Sequence, residues 1–230
     1  LPFYKKEKYI EKTVKSILSQ TFENFEILII YDEVDYNNLE NLRSLYSNEL
    51  RIRIIVNNKN YGAGESRNIG IKEAKGSFIA FIDADDIWEK NKLEDQINFM
   101  LENNIDASHT SYDIIDANGS VISKRIAKTI NYNDLLVSCD IGLSTVVIKK
   151  SFFNEKCKFA NLKTKEDYVL WLRLAKSGIK FHGINKSYVK WRKLKNSLSS
   201  STIRKLLDGY KVYNQYLGFN FIKSLIYLFR

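Results

Sequence analysis

Proline is almost missing from this chain: one residue, Pro2, in 230. Glycine is sparse as well, with ten. Segments that stay disordered are rich in such residues, so long unstructured linkers are excluded. Cysteine occurs twice, at Cys139 and Cys157, with no metal-ligand spacing and no disulfide framework. Two free buried thiols in a reduced, cytoplasmic setting are expected. The two histidines, His109 and His182, stand isolated and read as structural. No apolar run reaches the roughly 18–20 residues a membrane-crossing helix needs. The nearest, "LGFNFIKSLIYLFR", is short and carries Lys223 and Arg230, which suits a docking or membrane-surface helix. The opening "LPFYKKEKY" has no methionine and no signal-peptide pattern, and is expected to lie inside a longer protein.

What is present is a large apolar share, 44%, enough for a substantial core. The length suits one α/β domain with an appendage. The net charge of +9 favours an anionic partner, whether nucleic acid, nucleotide phosphate or an acidic membrane, without choosing among them.

The first hundred residues alternate between two periods. Ile10, Val14, Ile17 and Leu18 recur at helical spacing within 6–20. "FEILII" (25–30), "RIRIIV" (51–56) and "SFIAFI" (77–82) are continuous apolar runs, as in strands buried on both faces. Helical patterns fill 38–46, 64–74 and 89–104 between and after them. Alternation of this kind predicts a mostly parallel sheet flanked by helices, with right-handed crossovers. After about residue 105 the regularity breaks. Strands are expected at 106–115, 144–150 and 186–191, a hairpin turn at Asn118-Gly119, and a strong helix over 166–178 stopped by Gly178.

The third apolar run ends in "DADD", which holds Asp83, Asp85 and Asp86. Ligands of open α/β sheets bind beyond the carboxyl ends of strands. Alternation along an extended segment lets Asp83 and Asp85 point the same way. Convergent carboxylates call for a positive partner, and Mg²⁺ or Mn²⁺ with oxygen ligands supplies one that also accepts phosphate oxygens. The plainer alternative is one helix-capping aspartate beside two solvated ones.

The stretch "NYGAGESRNIGIKEAKGSFIAFIDADD" resembles the signature of family 2 glycosyltransferases of the GT-A fold. It presents Asn60, Gly62, Ser66 where alanine is usual, Arg67, Asn68 and Gly70, then the three aspartates. "LPFYKKEKYIEKTVKSILSQTFENFEILII" resembles that family's opening, with the first strand cut short. "KEDYVLWLRLAKSG" resembles its E-D…W…R segment, and "WRKLKNSLSSS" a late segment. The similarity covers most of residues 1–200, leaving 201–230 as a C-terminal helical extension.

The resemblance implies an inverting, metal-dependent enzyme. It would move a sugar from a nucleotide-diphosphate donor, UDP by default, to a saccharide or lipid-linked acceptor in cell-surface polysaccharide or glycolipid synthesis. It implies Asp85 as metal ligand, with Asp83 on the metal or ribose, and Asp86 capping the next helix. Pro2, Phe3 and Tyr4 would wall the nucleotide, Asp32 would bind the base, and Arg67 would meet base or phosphate. Of Glu166 and Asp167, Asp167 is the expected general base. The alternative for both is charge at a helix N-terminus. Leu194 replaces a histidine usual in the late segment, so Arg192, Lys193 or Lys195 would supply positive charge. Tyr31 and Glu33 also depart from the family's D-D-G-S turn. Trp88 and Trp171 are expected in the core.

Two other classes remain. A nucleotidyltransferase would open with a glycine-rich loop, which "LPFYKKEKY" lacks. A non-catalytic module for nucleic acid or acidic polysaccharide would use a basic and aromatic cluster such as "YVKWRKLK" (188–195), although a nucleic-acid partner is disfavoured. The extension, with Arg204, Lys205, Lys211, Lys223 and Arg230 among apolar residues, suits peripheral contact with an anionic membrane, at the inner face of the cytoplasmic membrane.

Overall fold

The computed structural model describes residues 1–194 and 201–229. Its amino-terminal half builds a three-stranded parallel sheet in the order β1 (Pro2–Phe3), β2 (Ile27–Tyr31), β3 (Ile52–Val56). The crossovers contain α1 (Glu7–Leu18) and α2 (Asn37–Leu45), and α3 (Ala63–Glu73) follows β3. Helix α1 forms where the apolar spacing placed it, burying Ile10, Val14 and Ile17. Those residues pack with Phe3, Ile29, Tyr31 and Trp88 in one core cluster.

The parallel order stops there. The third apolar run yields β4 (Phe78–Ala80), which pairs antiparallel with β8 (Val147–Lys149). With β5 (Ile87–Trp88), β6 (Ala107–Ile115) and β9 (Phe181–Arg192), a second, six-stranded sheet runs β4-β8-β6-β9-β5, and β7 (Val121–Arg125) is hydrogen-bonded to β6. Only β6 and β9 (Phe181–Arg192) pair parallel in it. The parallel character expected from alternation therefore belongs to β1–β3 and to that one pair. The hairpin between β6 and β7 turns at Gly119, whose φ of +100° suits glycine.

Helices α4 (Lys92–Glu102), α5 (Tyr132–Val137) and α6 (Glu166–Lys176) complete this half. Helix α6 buries five consecutive residues, Tyr168 to Leu172, so it is covered on more than one side. Its aromatic neighbours Phe81, Phe159 and Phe181 all meet the Trp171 ring. Trp88 and Trp171 are both core residues, and His109 is buried with its ring nitrogen on the Lys128 carbonyl. Cys157 is buried and Cys139 half-buried, both as free thiols. The C-terminal helices α7 (Thr202–Lys211) and α8 (Phe221–Leu228) follow, with Val212 and Tyr213 between them buried against the α6 cluster.

Candidate active site

Beyond β4, Phe81 and Ile82 stay buried and the chain leaves the strand before it reaches the aspartates. Asp83 to Asp86 form a turn, closed by the Asp86 N–H on the Asp83 carbonyl at 3.1 Å. The chain then enters β5 (Ile87–Trp88). A turn breaks the alternation expected of an extended segment, and the carboxylates of Asp83 and Asp85 go to different cations. Asp85 takes Lys6 Nζ at 2.5 Å, and Asp83 takes Arg67 Nη2 at 2.7 Å. Asp86 is buried and does not cap α4. Its oxygens accept from Ser144 Oγ at 2.5 Å and from the Arg192 N–H at 2.8 Å. Burial first, then the charges of Asp83 and Asp85, push the Asp86 carboxyl well above its usual range. Burial and then Asp83 raise Asp85 as well, against the pull of Lys6.

Ser144 braces this turn twice, since its Oγ also accepts from the Asp83 N–H at 3.1 Å. Its carbonyl takes the Trp88 indole N–H at 2.8 Å. Thr13 on α1 adds a bond to the Asp86 carbonyl at 2.8 Å. Nothing local in the sequence marks Ser144, Thr13 or Lys6. They come from a 3₁₀ turn, a helix and a loop that meet the acidic turn only in the folded chain.

Arg67, on α3, joins the acidic turn to the Glu166-Asp167 pair. Its Nη1 donates to Glu166 Oε1 at 2.7 Å while Nη2 holds Asp83. The guanidinium also lies over the Phe159 ring, and its buried Nε has no partner among the described residues. Burial works to lower the Arg67 pKa, but the two carboxylates outweigh it and the net shift is upward. Close approach of α3 to this segment depends on Gly64. A Cβ there would stand 2.9 Å from the Ala160 carbonyl oxygen and 3.2 Å from Glu166 Cγ. Arg67 is thus committed to a buried bridge between two carboxylates.

Asp167 begins α6 beside Glu166. Its Oδ1 accepts from the Tyr168 N–H at 2.7 Å, and among the described residues it forms no ion pair. Burial, and then the Glu166 charge, raise its carboxyl to about 7, with Arg67 and the Tyr168 N–H opposing. The pair is therefore split: Glu166 is tied to a cation, whereas Asp167 is buried without one and its carboxyl is pushed up.

The proposed nucleotide end is built around Asp32, at the end of β2. Its Oδ1 accepts from Asn57 Nδ2 at 2.7 Å and the Tyr61 N–H at 2.8 Å, and its Oδ2 from the Gly62 N–H at 2.8 Å. Asp32 thus pins the loop that enters α3. Phe3 is fully buried and stacked on Tyr31, with ring centroids 5.5 Å apart, whereas Tyr4 is exposed. Of the expected wall, Tyr4 is the ring that faces outward. Pro2, in β1, pairs with Ile30 of β2. The two departures at this turn are matched to each other: Tyr31 OH donates to Glu33 Oε2 at 3.0 Å and to the Asp35 carbonyl at 2.8 Å.

Arg192 is buried and committed to the chain itself. Its Nε donates to the Asp85 carbonyl at 2.9 Å, and Nη1 to the Asp116 and Ala117 carbonyls at 3.0 and 3.2 Å. In this arrangement it fixes the acidic turn from behind. Of the basic and aromatic cluster 188–195, Tyr188 is buried and Lys190 pairs with Glu89 at 2.8 Å; Lys195 lies outside the described residues. Among the described basic side chains of this cluster, Arg192 is buried and Lys190 paired, while Lys193 is exposed.

The chain's match to the family model "Glycosyl transferase family 2" spans residues 1–162. The chain belongs to that family. It is 37% identical over 221 residues to the UDP-Glc:alpha-D-GlcNAc-diphosphoundecaprenol beta-1,3-glucosyltransferase WfgD of Escherichia coli, covering 94% of this chain and 85% of that protein. It is 31% identical over 225 residues to the putative teichuronic acid biosynthesis glycosyltransferase TuaG of Bacillus subtilis, covering 97% and 89%. The crystal structure of S. aureus TarS 1-349 in complex with UDP-GlcNAc superposes with a TM-score of 0.76 at 21% identity, over 99% of this chain and 68% of that one. This last likeness establishes the GT-A fold.

For a family 2 glycosyltransferase with this turn, the donor set suits a hard cation. Mg²⁺ is typically bound by one or two carboxylates plus substrate phosphates, not by an all-protein cage. Asp83 and Asp85 offer two carboxylates, and no group of three metal-ligating side chains exists among the described residues. Each aspartate already faces a cationic side chain, which shows that the turn concentrates negative charge at this point.

Proposed function

We propose that this glycosyltransferase moves a sugar from a UDP-sugar to a hydroxyl of a lipid-diphosphate-linked saccharide, inverting the anomeric carbon, in cell-surface polysaccharide synthesis. The observation that carries the reading is the double ion pair of Arg67, which brings the acidic turn and the Glu166-Asp167 pair to one place. The donor and acceptor classes follow the name of the E. coli relative, and the UDP-GlcNAc complex of TarS supports a uridine nucleotide. The setting would be the cytoplasmic face of a membrane, where a nucleotide-sugar donor would meet a lipid-linked acceptor of the kind named for the E. coli relative.

In this reading Asp85, with Asp83, would hold Mn²⁺ or Mg²⁺ at the donor diphosphate. Such a cation stabilises the charge that builds on the leaving group. Tyr4 and the loop pinned by Asp32 would frame the nucleotide. Asp167 would take the proton from the acceptor hydroxyl as its oxygen attacks the anomeric carbon and the bond to the diphosphate breaks. A base is most effective when its pKa lies near the working pH, and Asp167 is held there. Glu166 is instead held by Arg67.

Asp167→Asn tests this directly. Transfer should fall by about 10²–10⁴-fold, the usual loss with a general base, while calorimetry finds donor affinity unchanged. Wild-type rate should climb with pH through about 7 and flatten above it, and the variant should lose that rise. Normal transfer by Asp167→Asn, with loss in Glu166→Gln, would reassign the base to Glu166.

A further inference from the structure

The segment 201–229 holds four basic residues, Arg204, Lys205, Lys211 and Lys223, and one acid, Asp208. That acid is buried. It accepts from the Thr164 N–H at 3.1 Å, from Thr164 Oγ1 at 2.9 Å and from Lys211 Nζ at 3.4 Å. The charge left at the surface of the segment is therefore positive only.

The same segment exposes apolar side chains. On α7, Ile203 and Leu207 lie one turn apart, Ile203 at 73% exposure. On α8 and at its C-terminal cap, Phe221, Ile222, Ile226 and Phe229 recur at helical spacing, with Ile222 at 69% and Phe229 at 76%. The Tyr210 and Phe221 rings meet at 6.1 Å, joining the two exposed rows into one face. The inner sides are occupied by contacts of their own. Gly209 lies against Leu228, and Tyr213 stacks on Tyr227 at 5.6 Å. The outward residues are thus surplus to the packing of the helical pair, and exposed apolar patches of this kind mark interaction surfaces.

We propose that this face docks on an anionic lipid surface, with α7 and α8 lying in the plane of the interface. An apolar row flanked by lysine and arginine is the pattern of such helices. Charge decides between a bilayer and a second copy of the chain. Self-association would set Arg204, Lys205 and Lys223 against their own counterparts, whereas an anionic surface neutralises them. The Asp208–Thr164 bonds then matter for function. Thr164 stands just before Glu166 and Asp167, so a docked α7 holds the catalytic pair at a fixed attitude to the membrane. This purpose rests on the lipid-linked acceptor reading; the docking itself does not.

The test is sedimentation of the full chain with vesicles of phosphatidylglycerol and, separately, of phosphatidylcholine, read without any sugar. Binding should favour phosphatidylglycerol and weaken with salt. Each basic side chain near an anionic surface changes partition by about five-fold, so Arg204→Gln with Lys205→Gln should lower it about 25-fold. Both side chains are exposed, so this variant leaves the core intact. Ile222→Ser with Ile226→Ser should abolish binding while thermal unfolding and turnover of a soluble acceptor stay as in wild type, since both side chains are exposed. Equal partition into both lipids, or no response to the charge variant, overturns the proposal. So does a dimer in light scattering that the serine variant dissolves, which would give the face to a second copy. Loss of sugar transfer in wild type alongside normal vesicle binding would count against the acceptor reading alone.

Discussion

Arg67 and Glu166, 99 positions apart in sequence, meet in a 2.7 Å ion pair at the point where α3 faces the start of α6. The other end of the same guanidinium holds Asp83. One planar, two-ended cation thus sets the spacing between the acidic turn and the acid pair on α6, a task that suits arginine and not a point charge.

Removing that cation should be costly. Arg67→Met would leave Glu166 and Asp83 without their counter-charge in a largely buried site. Breaking a buried pair typically costs about 3–5 kcal/mol. Asp83, a third exposed, can recover some solvation, so the lower end is expected. Urea unfolding should show the loss, and Arg67→Lys should restore little of it, because an ammonium cannot reach both carboxylates in the same planar geometry. Full recovery by lysine would mean that the bridge contributes no more than charge.

Much of this arrangement is legible in the sequence. Helical spacing located α1 and α6, and the acidic strand end with the Glu166-Asp167 pair carried the family resemblance. What local pattern could not supply was the partner of each residue. Asp86 has the chemistry of a helix cap, yet its oxygens are taken by Ser144 and the Arg192 N–H, which arrive from distant segments. Arg192 has the chemistry of a phosphate ligand, yet tertiary packing buries it among carbonyls. Tyr31 and Glu33 look like two separate departures from the family pattern, and only their hydrogen bond shows one compensating for the other. The pairing of β4 with β8 was hidden for the same reason: a strand's own sequence does not name its neighbour.

Lys6 gives the metal reading a test that does not depend on turnover. Its ammonium sits on Asp85 at 2.5 Å, where a divalent cation would have to share the carboxylate. Mn²⁺ binding, followed by calorimetry with UDP present, should vanish in Asp85→Asn. In Lys6→Met it should tighten by roughly ten-fold, because the repulsion between ammonium and metal is gone. Weaker Mn²⁺ binding in Lys6→Met would instead assign the lysine to the nucleotide, as a partner for its phosphates. Unaltered binding in Asp85→Asn would remove Asp85 from the ligand set.

Beneath the acidic turn lies a buried amine. Lys92 is fully buried, with Nζ 2.8 Å from Gln96 Oε1 and 4.2 Å from the Trp88 ring centroid, and among the described residues it has no carboxylate partner. Burial lowers its pKa from 10.5 to about 7. The direction of its effect on stability follows from proton counts. Below pH 7 the amine is charged in both the folded and unfolded chain, and the cost of burying the charge is felt in full. Between about 7 and 10.5 the unfolded chain holds the proton and the folded chain does not. Stability contributed by this group must therefore rise with pH across that window, at up to about 1.4 kcal/mol per pH unit. Lys92→Met removes the proton and the slope together. Urea midpoints at pH 7, 8 and 9 should climb in the wild type relative to the variant, whose Gln96 loses a donor equally at every pH. Parallel lines for the two proteins would mean that the amine reaches solvent and keeps its charge. The turn would feel the difference, because Trp88, which lies against this amine, bonds Ser144, and Ser144 holds both Asp83 and Asp86.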